Sequence, residues 1–365
     1  MNILIFFIIL LVLVLVHEWG HFFSAKKFGI RVDEFGFGFP PKIASIKKGE
    51  TEYSLNALPL GGFVKIFGEN PNEENTTGPD ASRSFVNKPR WQQAIVLFAG
   101  IFMNFVLAWV LFSIGFMSGL PTSTSGAPVG QELKNVHLVV LGVSPKSPAE
   151  IAGLKSGDKI ISMLSFDGDL TQPNPASLKE FVSNHEGKDI SLYFEREGEL
   201  KDVVLQPKAG VVDGKPGIGI SMDTVGILKL PFFSAIWEGF KFDLSVTKAT
   251  IIGLFDLLKS IFVGKANLSD VTGPVGLVGA VGDAYHGFGF AYLISFAAMI
   301  SVNLAVINLF PFPALDGGRL LFLLIEKIKG SRLNPKFANY ANMIGFFLLI
   351  LLMLVVTYHD IVKLF

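Results

Sequence analysis

The sequence predicts a multi-pass α-helical membrane protein with about four transmembrane helices, a membrane-associated β-hairpin and an inserted α/β module. Three observations carry this. Of 365 residues, 50% are hydrophobic and only 17% charged, where soluble domains carry about 25% charge. Four apolar stretches, residues 3–25, 91–118, 288–310 and 340–358, are long enough to cross a bilayer. Between the second and third, the pattern changes to short strands and Gly-bounded turns, as in a soluble α/β fold. The chain therefore divides into a first membrane half (1–118), a module (128–208), a connecting segment (209–287) and a second membrane half (288–365).

Each element has its own reason. Ile3 to Val16 is an unbroken apolar run, followed by HEWGH. A cleaved secretory signal opens on positive charge and closes on small residues. Here the basic pair Lys26-Lys27 follows the run instead, which predicts a retained helix over 3–25. Within residues 41–66, Lys42 to Lys47 and Tyr53 to Leu58 flank a Lys48-Gly49-Glu50 turn, and LPLGGFVKI (58–66) adds a further β-type run. If this apolar segment dips into lipid, its backbone must be paired or lined by protein. In the module, residues 136–143 read as a strand, SPAEIAGLKSGDKIISM (147–163) as helix, turn and strand, 177–184 as a helix, and 190–196 with 200–206 as a hairpin. Residues 233–263 are broken by Lys241, Asp243, Lys248, Asp256 and Lys259, which predicts amphipathic helices lying in the interface rather than a span.

Charge sets the orientation and excludes some partners. Residues 26–90 hold ten Lys/Arg, and residues 319–336 hold Arg319, Lys327, Lys329, Arg332 and Lys336. The positive-inside rule puts both on the cytoplasmic side of the membrane, with the module outside. Lys+Arg and Asp+Glu balance at 31 each, so the lipid bilayer is an expected partner and nucleic acid is not. With no Cys, disulfides, thiolate metal sites and Cys nucleophiles are excluded.

The sharpest chemical signal is His17-Glu18-Trp19-Gly20-His21. On a helix, positions i and i+4 share a face, so both imidazoles reach one metal. Glu18 stands beside the first ligand, where a carboxylate can act as base on a water activated by Zn²⁺. Ionisable groups inside an apolar span are expensive, which favours function over a chance pentapeptide. A catalytic zinc takes three protein ligands and one open position, and Asp316 is the best third ligand. The first and third spans run in the same direction. HEWGH sits late in the first and Asp316 just after the third, so both fall near the cytoplasmic face.

Pro311 and Pro313 cannot sit in a helix interior and should bend the chain so that Asp316 returns toward the first span. Asn308 and Asn303 are amides in an apolar span. They suit either substrate backbone and oxyanion contacts or helix–helix hydrogen bonds, with the second favoured for Asn303. Asn104, four residues after Gly100, reads as a mark of close packing. His137, His185, His286 and His359 read as surface or core residues. Proteolysis needs an extended substrate, so the hairpin offers an edge for β-addition, with Tyr53, Ser54, Leu55 and Asn56 as candidate contacts.

These pieces resemble the site-2 protease family of intramembrane zinc metalloproteases, most closely its RseP-type bacterial members. The matching segments are HEWGH, LPLGGFVKI (58–66), AGIFMN (99–104), TGPVG (272–276) and NLFPFPALDGG (308–318). SPAEIAGLKSGDKI resembles a bacterial PDZ domain, which would make the module a single PDZ-like domain where some relatives carry two. The resemblance implies His17, His21 and Asp316 as zinc ligands, Glu18 as catalytic base and Asn308 as a substrate-contacting amide. It implies the bacterial cytoplasmic (inner) membrane as location, and single-span membrane substrates, such as anti-sigma-factor-like regulators already trimmed by another protease, or signal-peptide remnants. Two rival readings are a non-enzymatic PDZ membrane scaffold and a non-haem iron oxygenase, since two His and one carboxylate also suit Fe(II).

Overall fold

The structure, a computed structural model, describes residues 2–363 apart from 71, 129–130, 197, 213–214 and 265–272. Thr272 of TGPVG lies outside the described residues. In chain order the elements are α1 (Asn2–Lys27), β1 (Val32–Lys48), β2 (Thr51–Ile66), α2 (Glu73–Thr77), α3 (Arg90–Ser118), β3 (Leu120–Ser123) and β4 (Lys134–Val143). Then come α4 (Pro148–Ile151), β5 (Lys159–Ser165), β6 (Gly168–Thr171), α5 (Pro175–Asn184), β7 (Ile190–Arg196), β8 (Glu199–Leu205), β9 (Lys208–Val212), β10 (Lys215–Gly217) and β11 (Ile220–Leu228). Five helices close the chain: α6 (Phe232–Phe262), α7 (Pro274–Phe288), α8 (Phe290–Leu309), α9 (Asp316–Lys329) and α10 (Pro335–Lys363). Among the described residues, four helices are long and apolar enough to cross a membrane: α1, α3, α8 and α10. They coincide with the four stretches read from hydropathy.

Two compact units emerge. The first comprises residues 1–111, 239–279 and 297–365. In it β1 and β2 are longer than a simple hairpin, and each bends. Residues 34–37 of β1 pair with 62–65 on one side and 52–55 on the other, while 42–48 pair with 51–56. The result is a small antiparallel sheet of four segments in the order 62–66, 32–37, 51–56, 42–48. Gly38 sits at the bend with φ +74°, and a Cβ there would lie 2.6 Å from the Leu58 carbonyl oxygen, so no other residue fits without displacing the backbone. Exposed Phe39, Ile43, Ile46, Leu55 and Leu58 stud this sheet, as expected of a β element held against lipid.

Helix α6 packs along α3 through Phe240, which meets Phe105 and Trp109 with ring centroids 6.5 and 5.4 Å apart. It reaches α8 through Thr250, whose hydroxyl donates to Asn303 Oδ1 at 3.1 Å. The loop after α8 is pinned by the Ala314 N–H, which donates to Asn342 Oδ1 of α10 at 3.1 Å. Asp316 then opens α9, an amphipathic helix not foreseen from hydropathy because its apolar stripe is too narrow to read as a span.

The second unit comprises residues 112–238 and 280–296. Its antiparallel sheet has the order β3-β11-β4-β5-β7-β8, with β6 beside β5. Leu138, Val140, Ile160, Met163, Leu178, Ile190, Leu192 and Phe194 form its core. Asp158, fully buried, is clamped by Arg196 through Nε at 2.6 Å and Nη2 at 2.7 Å, the bidentate geometry that compensates a buried carboxylate. The sheet extends beyond 128–208. It takes in 120–123 and also 220–228, the latter read from sequence as part of the connecting segment. β11 pairs with β4, some eighty residues earlier, and a local pattern cannot reveal that pairing.

Candidate metal centre

The first unit brings three of the sequence candidates onto one point. His17 and His21 lie one turn apart on α1, and both face inward, 9% and 7% exposed. Pro311 and Pro313 follow the end of α8 at Leu309, and the chain turns so that Asp316 meets both imidazoles. His17 Nε2 and His21 Nε2 lie 3.1 and 3.2 Å from Asp316 Oδ2, and 3.1 Å from each other. Tetrahedral zinc with bonds of about 2.0–2.2 Å puts its ligand atoms about 3.3 Å apart, so the spacing fits that ion. Asp316 Oδ2 is buried and, apart from the two imidazoles, meets no donor among the described residues, which is the state of an atom reserved for a cation. Burial pushes the Asp316 carboxyl up, but the His21 charge and hydrogen bonds with His17 and His21 outweigh it and hold the group below the usual carboxylate range.

The surroundings orient the donors. His21 Nδ1 lies 2.8 Å from the Val96 carbonyl oxygen of α3. Donation there leaves Nε2 with its lone pair toward the metal point. Asn104 reaches His17 Nδ1 at 3.3 Å, and its Oδ1 is buried with no donor among the described residues. Turning that amide over gives Oδ1 the His17 Nδ1–H and frees His17 Nε2 in the same step. Ser301 of α8 donates to the Asn104 carbonyl at 2.7 Å. Helices α1 and α3 can approach this closely because of two glycines. A Cβ on Gly20 would stand 2.4 Å from the Ala99 oxygen, and one on Gly100 would stand 2.3 Å from His21 Nε2. The close packing inferred at Gly100 is thus present, whereas Asn104 has a different task from the one read for it.

Glu18 is half-buried beside the imidazoles. The Val64 backbone N–H donates to it, and its Cγ is 3.7 Å from the Cβ position of Gly62. The segment 62–66 is an outer segment of the small sheet, and it lies directly against the candidate base.

The hairpin candidates come out differently. Residues 53–55 are paired on both sides, so Tyr53, Ser54 and Leu55 offer no free edge, and Asn56, paired with Lys42, is buried. Ser54 and Asn56 are 4% exposed, and Asn56 Nδ2 donates to the Phe37 and Gly38 carbonyls at 3.1 Å, tying the bend together. The Tyr53 ring packs against Phe22 and Phe35. The correction has a physical cause: once strands bend and double back, sequence order no longer gives lateral order. Asn303 is engaged by Thr250 and serves helix packing. Asn308 is half-buried in the last turn of α8, with no hydrogen bond among the described residues.

Two imidazoles and a carboxylate on one point, with a glutamate alongside, set among helices able to cross a bilayer, define a membrane-embedded metallohydrolase. The sequence profile of peptidase family M50 matches residues 5–352. A candidate zinc metalloprotease of Clostridium acetobutylicum is 35% identical over 99% of this chain and 97% of its own. A second, of Clostridium perfringens, is 37% identical over 96% and 95%. The zinc metalloprotease RasP of Oceanobacillus iheyensis is 29% identical over 97% of each chain. The chain belongs to peptidase family M50, the site-2 proteases. It is a zinc metalloprotease of the bacterial membrane, which removes the scaffold and iron-oxygenase readings.

Proposed function

We propose that the enzyme cleaves single-span membrane proteins at a zinc centre held by His17, His21 and Asp316, with Glu18 as general base. The observation that carries this is the meeting of the three donors with Glu18 beside an outer β segment, within helices of spanning length. Zinc, when bound, supplies the Lewis acidity that polarises a scissile carbonyl and makes water nucleophilic at neutral pH. The substrate backbone lies extended along residues 62–66, where main-chain hydrogen bonds hold it without regard to side chain. Glu18 takes a proton from the attacking water as its oxygen bonds to the carbonyl carbon. It returns the proton to the amide nitrogen as the C–N bond breaks, leaving a carboxylate and an amine. Val64, donating to the Glu18 carboxylate, orients it. Asn308 supplies an amide to the substrate backbone or the developing oxyanion.

The substrates are membrane-anchored regulators of the anti-sigma-factor type, trimmed first by another protease, or signal-peptide remnants. The metal centre faces the cytoplasmic side and the β-rich module the outer side, since the Lys/Arg-rich segments flank the former. The module is a PDZ-like domain. Its cavity of about 360 Å³ lies between α5 and residues 216–222, lined by Leu178, Val182, Ile218, Gly219 and Ile220, and it suits an extended C-terminus exposed by the earlier cut.

The deciding experiment compares wild type and Glu18→Gln on a single-span test substrate, with zinc content measured for both. The proposal expects equal zinc and cleavage lost in the variant. A Glu18→Gln protein that cleaves at the wild-type rate removes Glu18 from the chemistry.

A further inference from the structure

We propose that a cavity where α3 and α10 begin binds the phosphate headgroup of an anionic phospholipid. The cavity, about 550 Å³, falls within the range of small-ligand sites, about 300–1,000 Å³. Arg90 and Pro335 are the first residues of two helices able to cross a bilayer, and both line it. It therefore lies at a membrane boundary, where lipid headgroups are. Four cationic residues line it, Lys88, Arg90, Arg319 and Arg332, against two acidic ones, Glu69 and Glu326.

The two carboxylates are already engaged. Glu69 pairs with Arg319. Glu326 lies 3.9 Å from Arg90 and accepts from the Leu333 N–H at 2.9 Å. Arg332 donates only to neutral acceptors among the described residues, the Val86 carbonyl at 3.0 Å and Asn87 Oδ1 at 3.2 Å. Arg332 is exposed, and a guanidinium that lines a cavity with no carboxylate partner among the described residues can take a phosphate bidentately, while the positive ends of two long helix dipoles add to its field. Phe322, Leu323 and Leu333 form an apolar wall. That wall favours a headgroup carrying acyl chains over a free phosphate. Basic pockets between helix ends are general sites for anionic headgroups. Arg319 sits one turn after Asp316 on α9, so the bound headgroup would abut the turn that carries the metal-site carboxylate. The inference rests on the membrane reading of α3 and α10 and not on proteolysis.

The test uses the full chain in detergent, with retained lipid counted by native mass spectrometry. Dioctanoyl phosphatidylglycerol should be retained over dioctanoyl phosphatidylcholine. Arg332→Gln should weaken that retention about fivefold, the usual effect of one basic residue near an anionic headgroup. Lys329→Gln, on α9 but outside the cavity lining, should leave it unchanged. If Arg332→Gln does not yield folded protein, Ala338→Phe, which fills the cavity without altering its charge, should lower retention likewise. Equal retention of the two lipids, or equal loss in the Arg332 and Lys329 variants, overturns the site. Displacement of the lipid by an equal concentration of glycerol 3-phosphate assigns the cavity to a soluble phosphate and overturns the lipid.

Discussion

At the scale of single residues, the metal point depends on groups that never touch the metal. Asn104 is the clearest case. Its amide is the hydrogen-bond partner of His17 Nδ1 within α3, while its own carbonyl is tied to α8 by Ser301. Partners of ligating histidines usually contribute ten- to hundredfold in metal affinity. Asn104→Ala should therefore lower zinc affinity by about that factor in a chelator competition, with the protein still folded. Asn104→Asp, which keeps an oxygen facing Nδ1–H, should recover most of it. Equal zinc retention in wild type and Asn104→Ala would mean that His17 needs no such partner. The signal was present in the sequence, as an amide in an apolar span one turn after Gly100. What was missing was the knowledge that α3 crosses α1 at His17 and His21.

At the scale of elements, the small sheet and α6 each carry a consequence. Residues 62–66 lie against Glu18, and the Val64 N–H donates to the base. Proline at 64 removes that donor. Val64→Pro should reduce cleavage about ten- to hundredfold, the range for a hydrogen bond to a charged group, with zinc content unchanged. Proline within 53–55 should instead weaken the sheet itself, because that segment is paired on both sides. On α6, Asp243 is fully buried, and neither carboxylate oxygen has a partner among the described residues. Burial pushes its carboxyl up to about 7 from 3.8. The native state therefore holds a proton that the unfolded chain gives up, so this group costs stability as pH rises from about 4 and costs most above about 7. Asp243→Asn should raise the thermal midpoint at pH 8 by clearly more than at pH 5. Equal gains at both pH values would show that Asp243 does not titrate in this range.

At the scale of the molecule, what could be read from the chain depended on how local each signal was. The four spans were legible because hydropathy over about twenty residues is self-contained. His17, Glu18 and His21 were legible because i, i+4 spacing acts within one helix. Asp316, almost three hundred positions later, could be paired with them because counting crossings put both at one depth. Lateral order was not legible. The edge next to Glu18 proved to be 62–66 rather than 53–56, and β11 joined a sheet from beyond the segment assigned to it. The same limit hid the cavity between α5 and residues 216–222, because its walls come from α5, β10 and the start of β11. That cavity separates two accounts of the β-rich module. If the module recruits a newly exposed C-terminus, blocking the cavity must weaken substrate binding. If it only excludes bulky substrates, blocking it changes nothing for a substrate that is already small. Ser183 lines the cavity and is exposed on α5, so Ser183→Trp fills the groove without disturbing the core. For a pre-trimmed single-span substrate in reconstituted membranes, we expect KM to rise about tenfold, equivalent to about 1.4 kcal/mol of lost binding, with kcat unchanged. An unaltered KM would assign the module to exclusion, because a filled groove cannot hold a peptide.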